Sequence, residues 1–365
     1  MKKIKIGSIF EDSRYGGPHA QFINLFKTND QIKTHVLISK IESDIFYKIL
    51  KKSKIEVSKA NIHPISKFSK YLYLYITFFF SDLIKIFSFI DKNNFELMYI
   101  PGGSNSFKSV IACIIKSKKF IWHIHDCHSN ILFILIFSVL QNFASQVIFA
   151  SNASKNYYSK FIYSKKKFII LQSSVKKIKV KKNNYNRFTI GSLSNFNPIK
   201  DLKLFIKVAD LTGKIEKKIN FLIAGNVWNT QKKYYLECLN LKKKLKLKNL
   251  KIINTFKKNN NFFNKINLYL CTSLKESSPL SLWESMSAGI PIITTNIGDI
   301  KKFNKETCYV INDRSPKEFV KKILVLYKKK KIYNRFSNNS INKYELNFSI
   351  KNYQKKFYKL LSGLN

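Results

Sequence analysis

Glu276 and Glu284 have seven residues between them, Ser-Ser-Pro-Leu-Ser-Leu-Trp. An ionised carboxylate accepts hydrogen bonds on both oxygens, so two of them suit a ligand rich in hydroxyls. Ser277, Ser278 and Pro279 read as the opening of a helix. The first amides of such a helix, around Leu280 and Ser281, lack helical partners and favour an anion such as phosphate. Before them, Leu268–Thr272 reads as a buried strand. After them, Gly289 reads as a helix stop, and Pro291 precedes the next buried strand, within the apolar Ile290–Thr295. One strand–loop–helix unit thus offers carboxylates and an anion pocket together.

Three further segments carry candidate groups. In Ile190–Asp201 a strand ends near Gly191, a loop follows, and Lys200 stands just before a helix that begins near Asp201. A cation there can pair with phosphate. In Ser13–His19, Gly16 and Gly17 let backbone approach a ligand closely, although a plain turn explains them equally well. His19 follows them. In Phe120–His128, His123 and His125 share a face if the strand persists, and Asp126 is next in line. With Cys127 or His128 they could be read as zinc ligands. Their crowding, and the lack of a Cys/His pair elsewhere to complete a site, argue against zinc.

The stretch from Glu276 to Pro291 resembles the signature of the retaining GT-B glycosyltransferases of family 4, E-G-F-G/P-L-x-L-x-E-A-M-x-x-G-x-P-V. Glu276, Pro279, Leu280, Leu282, Glu284, Met286, Gly289 and Pro291 match it, whereas Ser277, Ser278 and Ser285 replace Gly, Phe and Ala. The resemblance implies that Glu276 contacts the donor sugar and Glu284 the nucleotide ribose. Lys200 matches the lysine that neutralises the donor diphosphate, but Ser192 stands where the family has arginine. Gly16 and Gly17 match a glycine pair near the phosphates and the acceptor, with His19 on the acceptor side. His125-Asp126 matches a His-Asp pair, with the His near the transferred sugar. Ser173-Ser174-Val175 replaces the family's N-G-V, and no glutamate follows the Gly298 loop. The implied catalytic residues are Glu276, His125 and Lys200. The implied donor-binding residues are Glu284, Lys200, Leu280, Ser281, Gly17 and Gly16, and His19 and Asp126 lie on the acceptor side. The implied reaction retains anomeric configuration and needs neither metal nor cofactor, the nucleotide sugar being a substrate. The net charge and the aromatic run Tyr71–Phe80 suggest a glycan or lipid-linked acceptor, as in lipopolysaccharide or capsule assembly by a hexosyltransferase.

These residues must be held by strands that alternate with helices. Strand candidates in the first half are Lys3–Phe10, His35–Ser39, Leu97–Ile100, Phe120–His125, Gln146–Ala150 and Phe168–Gln172. In the second half they are Phe188–Leu193, Ile219–Ala224, Leu250–Thr255, Leu268–Thr272, Ile290–Thr295 and Cys308–Ile311. Asp201–Thr212 and Thr230–Leu247 are long enough for crossover helices. This order predicts an α/β chain with mostly parallel sheets. With the resemblance it becomes two Rossmann-like, doubly wound GT-B domains facing across a cleft. The expected boundaries are 1–180 for an acceptor-side domain and 187–342 for a nucleotide-sugar domain, joined by a polar linker at Lys181–Arg187. A C-terminal helix, 343–365, is expected to pack back on the first domain, with Tyr344, Phe348, Tyr353, Phe357 and Leu361 at helical spacing.

Composition sets outer limits. Hydrophobic residues are 45% of 365, which excludes disorder as the main state. The net charge of +45 suggests an anionic partner, but only four of the 66 basic residues are arginine. Arginine is the residue suited to bidentate contacts with bases and phosphates. A nucleic-acid-binding protein is therefore the rival reading, one that leaves the Glu276–Pro291 pattern unexplained. A sugar-nucleotide epimerase or hydrolase and a non-catalytic subunit are others. The five cysteines form no CxxC pair and fit reduced thiols in cytosol. The N-terminus runs straight into a strand and reads as no signal peptide. Tyr71–Phe80 and Ile131–Leu140 are too short to span a bilayer, which needs about 20 apolar residues. The aromatic first run is the better candidate for bilayer contact. The expected location is the cytoplasm, with peripheral contact at the anionic inner face of the plasma membrane.

Overall fold

The computed structural model describes residues 3–27, 31–65, 69–127, 129–162, 168–180, 187–227, 231–254 and 259–363. The expected linker at 181–186, His128, Thr230 and Thr255 fall outside them. The chain divides into two compact units. The first is Met1–Ser173 with Tyr353–Asn365, and the second is Ser174–Asn352.

The first unit holds a sheet of seven strands: β1 (Ile4–Phe10), β2 (Ile32–Ser39), β3 (Glu56–Ala60), β4 (Leu97–Gly102), β5 (Phe120–Ile124), β6 (Gln146–Phe149) and β7 (Ile169–Ile170). All pairings are parallel, in the order β3-β2-β1-β4-β5-β6-β7. The central strands read as continuous apolar runs because helices cover both faces. On one face lie α3 (Ser69–Thr77), α4 (Phe79–Asn93), α5 (Phe107–Ile115), α6 (Ile131–Leu140) and α7 (Asn152–Tyr158). On the other lie α1 (Gly17–Phe26) and α2 (Asp44–Lys52). Strand β3 was not expected. It is an edge strand, and its sequence Glu-Val-Ser-Lys-Ala has the polar character that guards an edge and no apolar run.

The second unit repeats the plan with six parallel strands: β8 (Phe188–Leu193), β9 (Ile219–Ala224), β10 (Leu250–Ile253), β11 (Leu268–Cys271), β12 (Ile292–Thr295) and β13 (Cys308–Ile311). Their order is β10-β9-β8-β11-β12-β13. Its helices are α8 (Leu202–Ile215), α9 (Lys232–Lys244), α10 (Asn259–Phe263), α11 (Leu280–Ser287), α12 (Pro316–Lys328) and α13 (Lys330–Asn347). Each sheet reverses its winding once, between β1 and β4 and between β8 and β11. Doubly wound sheets bind ligands at that point, beyond the carboxyl ends of the strands.

Two boundaries differ from the sequence reading. The units divide after Ser173, because Val175 and Ile178 are buried in the second core with Trp283 and Phe348. The tail is two helices rather than one. Phe348 ends α13 and stacks on Trp283 at 3.9 Å, and Ser349 bridges to Val175. A new helix, α14 (Ile350–Ser362), then carries Tyr353, Phe357 and Leu361 into the core of the first unit.

Candidate active site

In the second unit, the loops after β8 and β11 meet at the switch point. The first runs through a 3-10 turn, Pro198–Lys200, to Asp201, whose carboxylate caps α8 by accepting the Leu204 amide at 3.3 Å. The two loops are sewn together. The Leu274 amide donates to the Ile199 carbonyl at 2.7 Å, and the Thr272 hydroxyl to the Lys200 carbonyl at 3.1 Å. This brings the Lys200 ammonium onto the Glu276 carboxylate as an ion pair, and the Ser273 hydroxyl adds a bond to the same oxygen at 2.9 Å. The pair stays about one-fifth exposed, with side-chain values of 25% and 17%.

Pro279 precedes α11, so the Leu280 and Ser281 amides stand at the helix start beside this pair. Gly298, at φ +51, lies over the approach to the helix, and a Cβ there would meet the Ser277 carbonyl at 2.7 Å. Gly289, at φ +68, follows the last turn, the stop expected from sequence. Glu284 is half-buried on α11. Its charge reaches Tyr269, whose hydroxyl bonds both the amide and the carbonyl of Leu193 at the end of β8, each at 3.1 Å. Burial first, and neighbouring negative charge after it, hold the Tyr269 phenol above its ordinary value. Lys200, Glu276, Leu280, Ser281 and Glu284 therefore cluster around one switch point.

Ser192, at the family's arginine position, is buried within β8. A different arginine works nearby. Arg314 pairs with Asp201 and donates to the Thr272 and Ser273 carbonyls at 3.0 and 3.1 Å. It clamps both loops behind Lys200 and Glu276. Nothing in its local sequence points to this, because its partners lie more than forty positions away.

The other predicted residues gather in the first unit, around a cavity of about 320 Å³ at the β1/β4 switch point. Gly16, His19, His125 and Asp126 line it. Gly17 opens α1 beside it. Both nitrogens of His19 are committed: Nδ1 accepts the Gly16 amide at 3.2 Å, and Nε2 donates to the Asp12 carbonyl at 2.9 Å. His19 thus staples the glycine loop, and burial pulls its pKa down to about 4. Gly16 is extended and exposed, with room for a Cβ, so no contact within the protein demands glycine there. Asp126 accepts the Ser104 amide at 3.2 Å and the Tyr158 hydroxyl, and burial raises it to about 6.

His125 is different. Its Nε2 is buried and without a partner, and burial lowers its pKa to about 3. A neutral imidazole facing a cavity can exchange a hydrogen bond with a bound hydroxyl. Its ring lies 4.1 Å from that of His123, so the two do share a face. His123 is fully buried and bonded to the Tyr99 hydroxyl at 2.6 Å. Among the described residues, no group of three His, Cys, Asp or Glu side chains has the arrangement of a metal site.

Sequence reading missed Glu11, which directly follows β1 and lines the same cavity. Its Oε1 accepts the amide and hydroxyl of Ser109, each at 2.8 Å, while Oε2 is buried and unbonded. Burial raises its pKa to about 7, against the Ser109 bonds and the Lys108 charge. The available signal was position, a carboxylate just past the first strand of a doubly wound sheet.

Residues 174–343 match the family model for glycosyl transferases group 1. No curated protein matches the chain in sequence. Solved structures match over nearly all of its length. HepE of Anabaena, in complex with UDP-glucose, has TM-score 0.86 at 16% identity, over 99% of this chain and 100% of that one. A glycosyltransferase from Rickettsia africae ESF-5 has TM-score 0.82 at 15%, over 100% and 99%. An S. aureus TarM variant, in complex with Fondaparinux, alpha-GlcNAc-glycerol and UDP, has TM-score 0.74 at 16%, over 99% of each chain. At these identities the likeness shows the fold, two Rossmann-like units as in GT-B glycosyltransferases. The match to glycosyl transferases group 1 falls within the second unit.

Proposed function

We propose that this protein is a retaining glycosyltransferase of family 4 that uses a nucleoside-diphosphate sugar. The observation that carries the reading is the Lys200–Glu276 ion pair beside the start of α11. The pair holds a cation and a carboxylate together until a ligand separates their tasks. Lys200 and the first amides of α11 then face the diphosphate, while Glu276 accepts hydroxyls of the sugar and Glu284 those of the ribose. The complexes of HepE with UDP-glucose and of TarM with UDP support a nucleotide-sugar donor.

In the reaction, an acceptor hydroxyl oxygen bonds to the anomeric carbon as the bond from that carbon to the diphosphate breaks. The hydroxyl proton passes to a diphosphate oxygen, and the nucleoside diphosphate leaves. Attack on the face the leaving group departs from retains configuration without a covalent enzyme intermediate. Negative charge grows on the diphosphate, where Lys200 and the helix amides stabilise it. The reading assigns that charge to protein groups and needs no metal. The cavity bearing His125, Asp126 and Glu11 takes the acceptor, a glycan or a lipid-linked molecule, in the assembly of cell-surface polysaccharide on the cytoplasmic side.

A thermal-shift screen of UDP-, GDP-, ADP- and dTDP-sugars tests the donor, since a ligand that binds only the folded state raises its apparent stability. One nucleotide class should shift the melting point. Glu276→Gln should lose transfer by about a hundredfold or more while melting as the parent does. Full transfer in that variant would remove the basis of the assignment. Donor breakdown that needs no acceptor would favour the hydrolase reading instead.

A further inference from the structure

A second cavity in the first unit has the opposite chemistry. It measures about 450 Å³, within the ~300–1,000 Å³ usual for small-ligand sites. It opens between α3/α4 and α6, and every residue lining it is apolar or aromatic, Ile76, Phe79, Phe107 and Ile136 among them. Ile65 borders both this slot and the polar cavity of His125 and Glu11. On the next wall, Ser106 lines the polar cavity and Phe107 the apolar slot, so the two spaces are neighbours.

The outer faces of the flanking helices are apolar as well. Leu72, Ile76, Phe80 and Ile84 form an exposed stripe at fourfold spacing on α3 and α4. Ile131, Leu135 and Val139 do the same on α6, and Phe143 continues the line. Exposures of 65% for Ile76 and 54% for Leu135 are far from those of a covered surface. The two charges of α4 nearest the slot are turned inward, whereas Asp91 and Lys92 are exposed in its last turn, with Asp91 paired to Lys116. Asp82 is fully buried, and Lys85 donates inward to Asp82 and to the Asn61 carbonyl. Helix α6 carries no charge, and Ser138 and Asn142 spend their donors on its own carbonyls. Helices at an apolar interface satisfy their polar groups in this way. Among the described residues no helix is long and apolar enough to cross a membrane.

We propose that the slot binds the hydrocarbon chain of a lipid-anchored acceptor, with the two stripes seated in the interface of an anionic bilayer and the polar head in the adjoining cavity. The word acceptor rests on the glycosyltransferase reading; the apolar site and the bilayer contact do not. Charge selects this occupant over a second copy. A chain of net +45 repels its own kind and is drawn to an anionic lipid surface. Helices with an apolar face of this kind lie in the interface rather than through it.

Flotation of the full chain with vesicles tests the seat. Vesicles of phosphatidylcholine and phosphatidylglycerol in equal parts should carry the protein, and phosphatidylcholine alone should carry less. The double variant Ile76→Asp, Leu135→Asp replaces two exposed side chains, so its melting point should hold while flotation falls about tenfold or more. For the slot, cis-parinaric acid should gain fluorescence on the wild-type protein. Either Ile111→Trp or Ile136→Trp should cut that gain several-fold. A wild-type protein that does not float, a double variant that floats equally well, or a fatty-acid signal indifferent to both slot variants would overturn the proposal. So would a wild-type dimer in sedimentation that the double variant dissolves. Donor-induced thermal shift is read on the same variants. If it persists while flotation fails, the lipid proposal alone is lost; if it is absent from the wild type, the donor reading is lost.

Discussion

Glu11 is the one carboxyl in the first cavity whose titration falls near neutrality and whose second oxygen has no partner. Both cavity histidines are pulled well below the working range, to about 4 for His19 and about 3 for His125, so neither gains charge between pH 5 and 8. Burial favours the neutral form of Glu11, and above about pH 7 it becomes a carboxylate able to accept an acceptor hydroxyl. We therefore expect kcat/KM for the acceptor to rise with pH through about 7. Glu11→Gln should flatten that limb and lower kcat/KM by about tenfold to a hundredfold, the loss of a charged hydrogen bond that orients the acceptor hydroxyl. Stability gives a second readout with the opposite sign. The folded state holds the Glu11 proton up to about pH 7, while the unfolded chain releases it near 4.5. Stability must then fall as pH rises across that window, by an amount on the order of 3 kcal/mol. Asp126, raised to about 6, adds to the same fall, so the difference between wild type and Glu11→Gln isolates Glu11. Urea denaturation at pH 5 and pH 8 measures it. If the variant shows the same pH dependence as the parent in both assays, Glu11 plays no part.

At the scale of elements, α4 and α5 are locked by a buried cluster inside an otherwise apolar layer. Asp82 accepts the His63 amide at 2.8 Å, Lys108 at 2.8 Å and Lys85 at 3.1 Å, and Lys108 also reaches the His63 carbonyl at 3.1 Å. Burial pushes the Asp82 carboxyl up, but these bonds and the Lys108 charge outweigh it and hold it below its ordinary value. Removing one member leaves the other buried and alone. Asp82→Ala should cost about 3–5 kcal/mol by chemical denaturation, whereas Asp82→Leu with Lys108→Met should recover most of that loss. A loss below 1 kcal/mol for the single variant would mean that water reaches Lys108 and that the cluster is not dry.

The same cluster marks where sequence reading stops. From the string alone, Asp82 and Lys85 interrupt an apolar run, and nothing shows that their partner stands on another helix. Buried parallel strands such as β5 and β11 were legible because burial on both faces forces a continuous apolar run. The Glu276–Gly289 segment was legible because loop, helix start and helix stop are all local. Arg314 was not, because its role is set by loops that only the sheet brings together. The break at Phe348 was hidden for a related reason. Its spacing continues that of Tyr344, and only packing on Trp283 shows that the helix ends there.

For the molecule as a whole, chain order and unit order disagree. The first sheet is complete by Ile170, yet Tyr353, Phe357 and Leu361 of α14 belong to its core, against Phe26 and Tyr99. The chain leaves the first unit, builds the second from Ser174 to Asn352, and returns. The second core does not use that return. Its own C-terminal contributions, Tyr344 and Phe348, precede it. Deletion after Asn352 should therefore act on one unit only. Each lost side chain removes about 1.5–3 kcal/mol of burial, an upper estimate because the unfolded chain is already partly compact. Three such losses take most of the stability of a domain whose total is about 5–15 kcal/mol. Hydrogen exchange should show the amides of β1 and β4 losing protection by several orders of magnitude in the truncated chain, while those of β8 and β11 keep theirs. The donor-induced thermal shift of the second unit should survive. Leu361→Ala in the full chain should reproduce the effect in miniature, at about 2–3 kcal/mol. Equal loss of protection in both sheets would show that the two units unfold as one, and that α14 holds more than the first core.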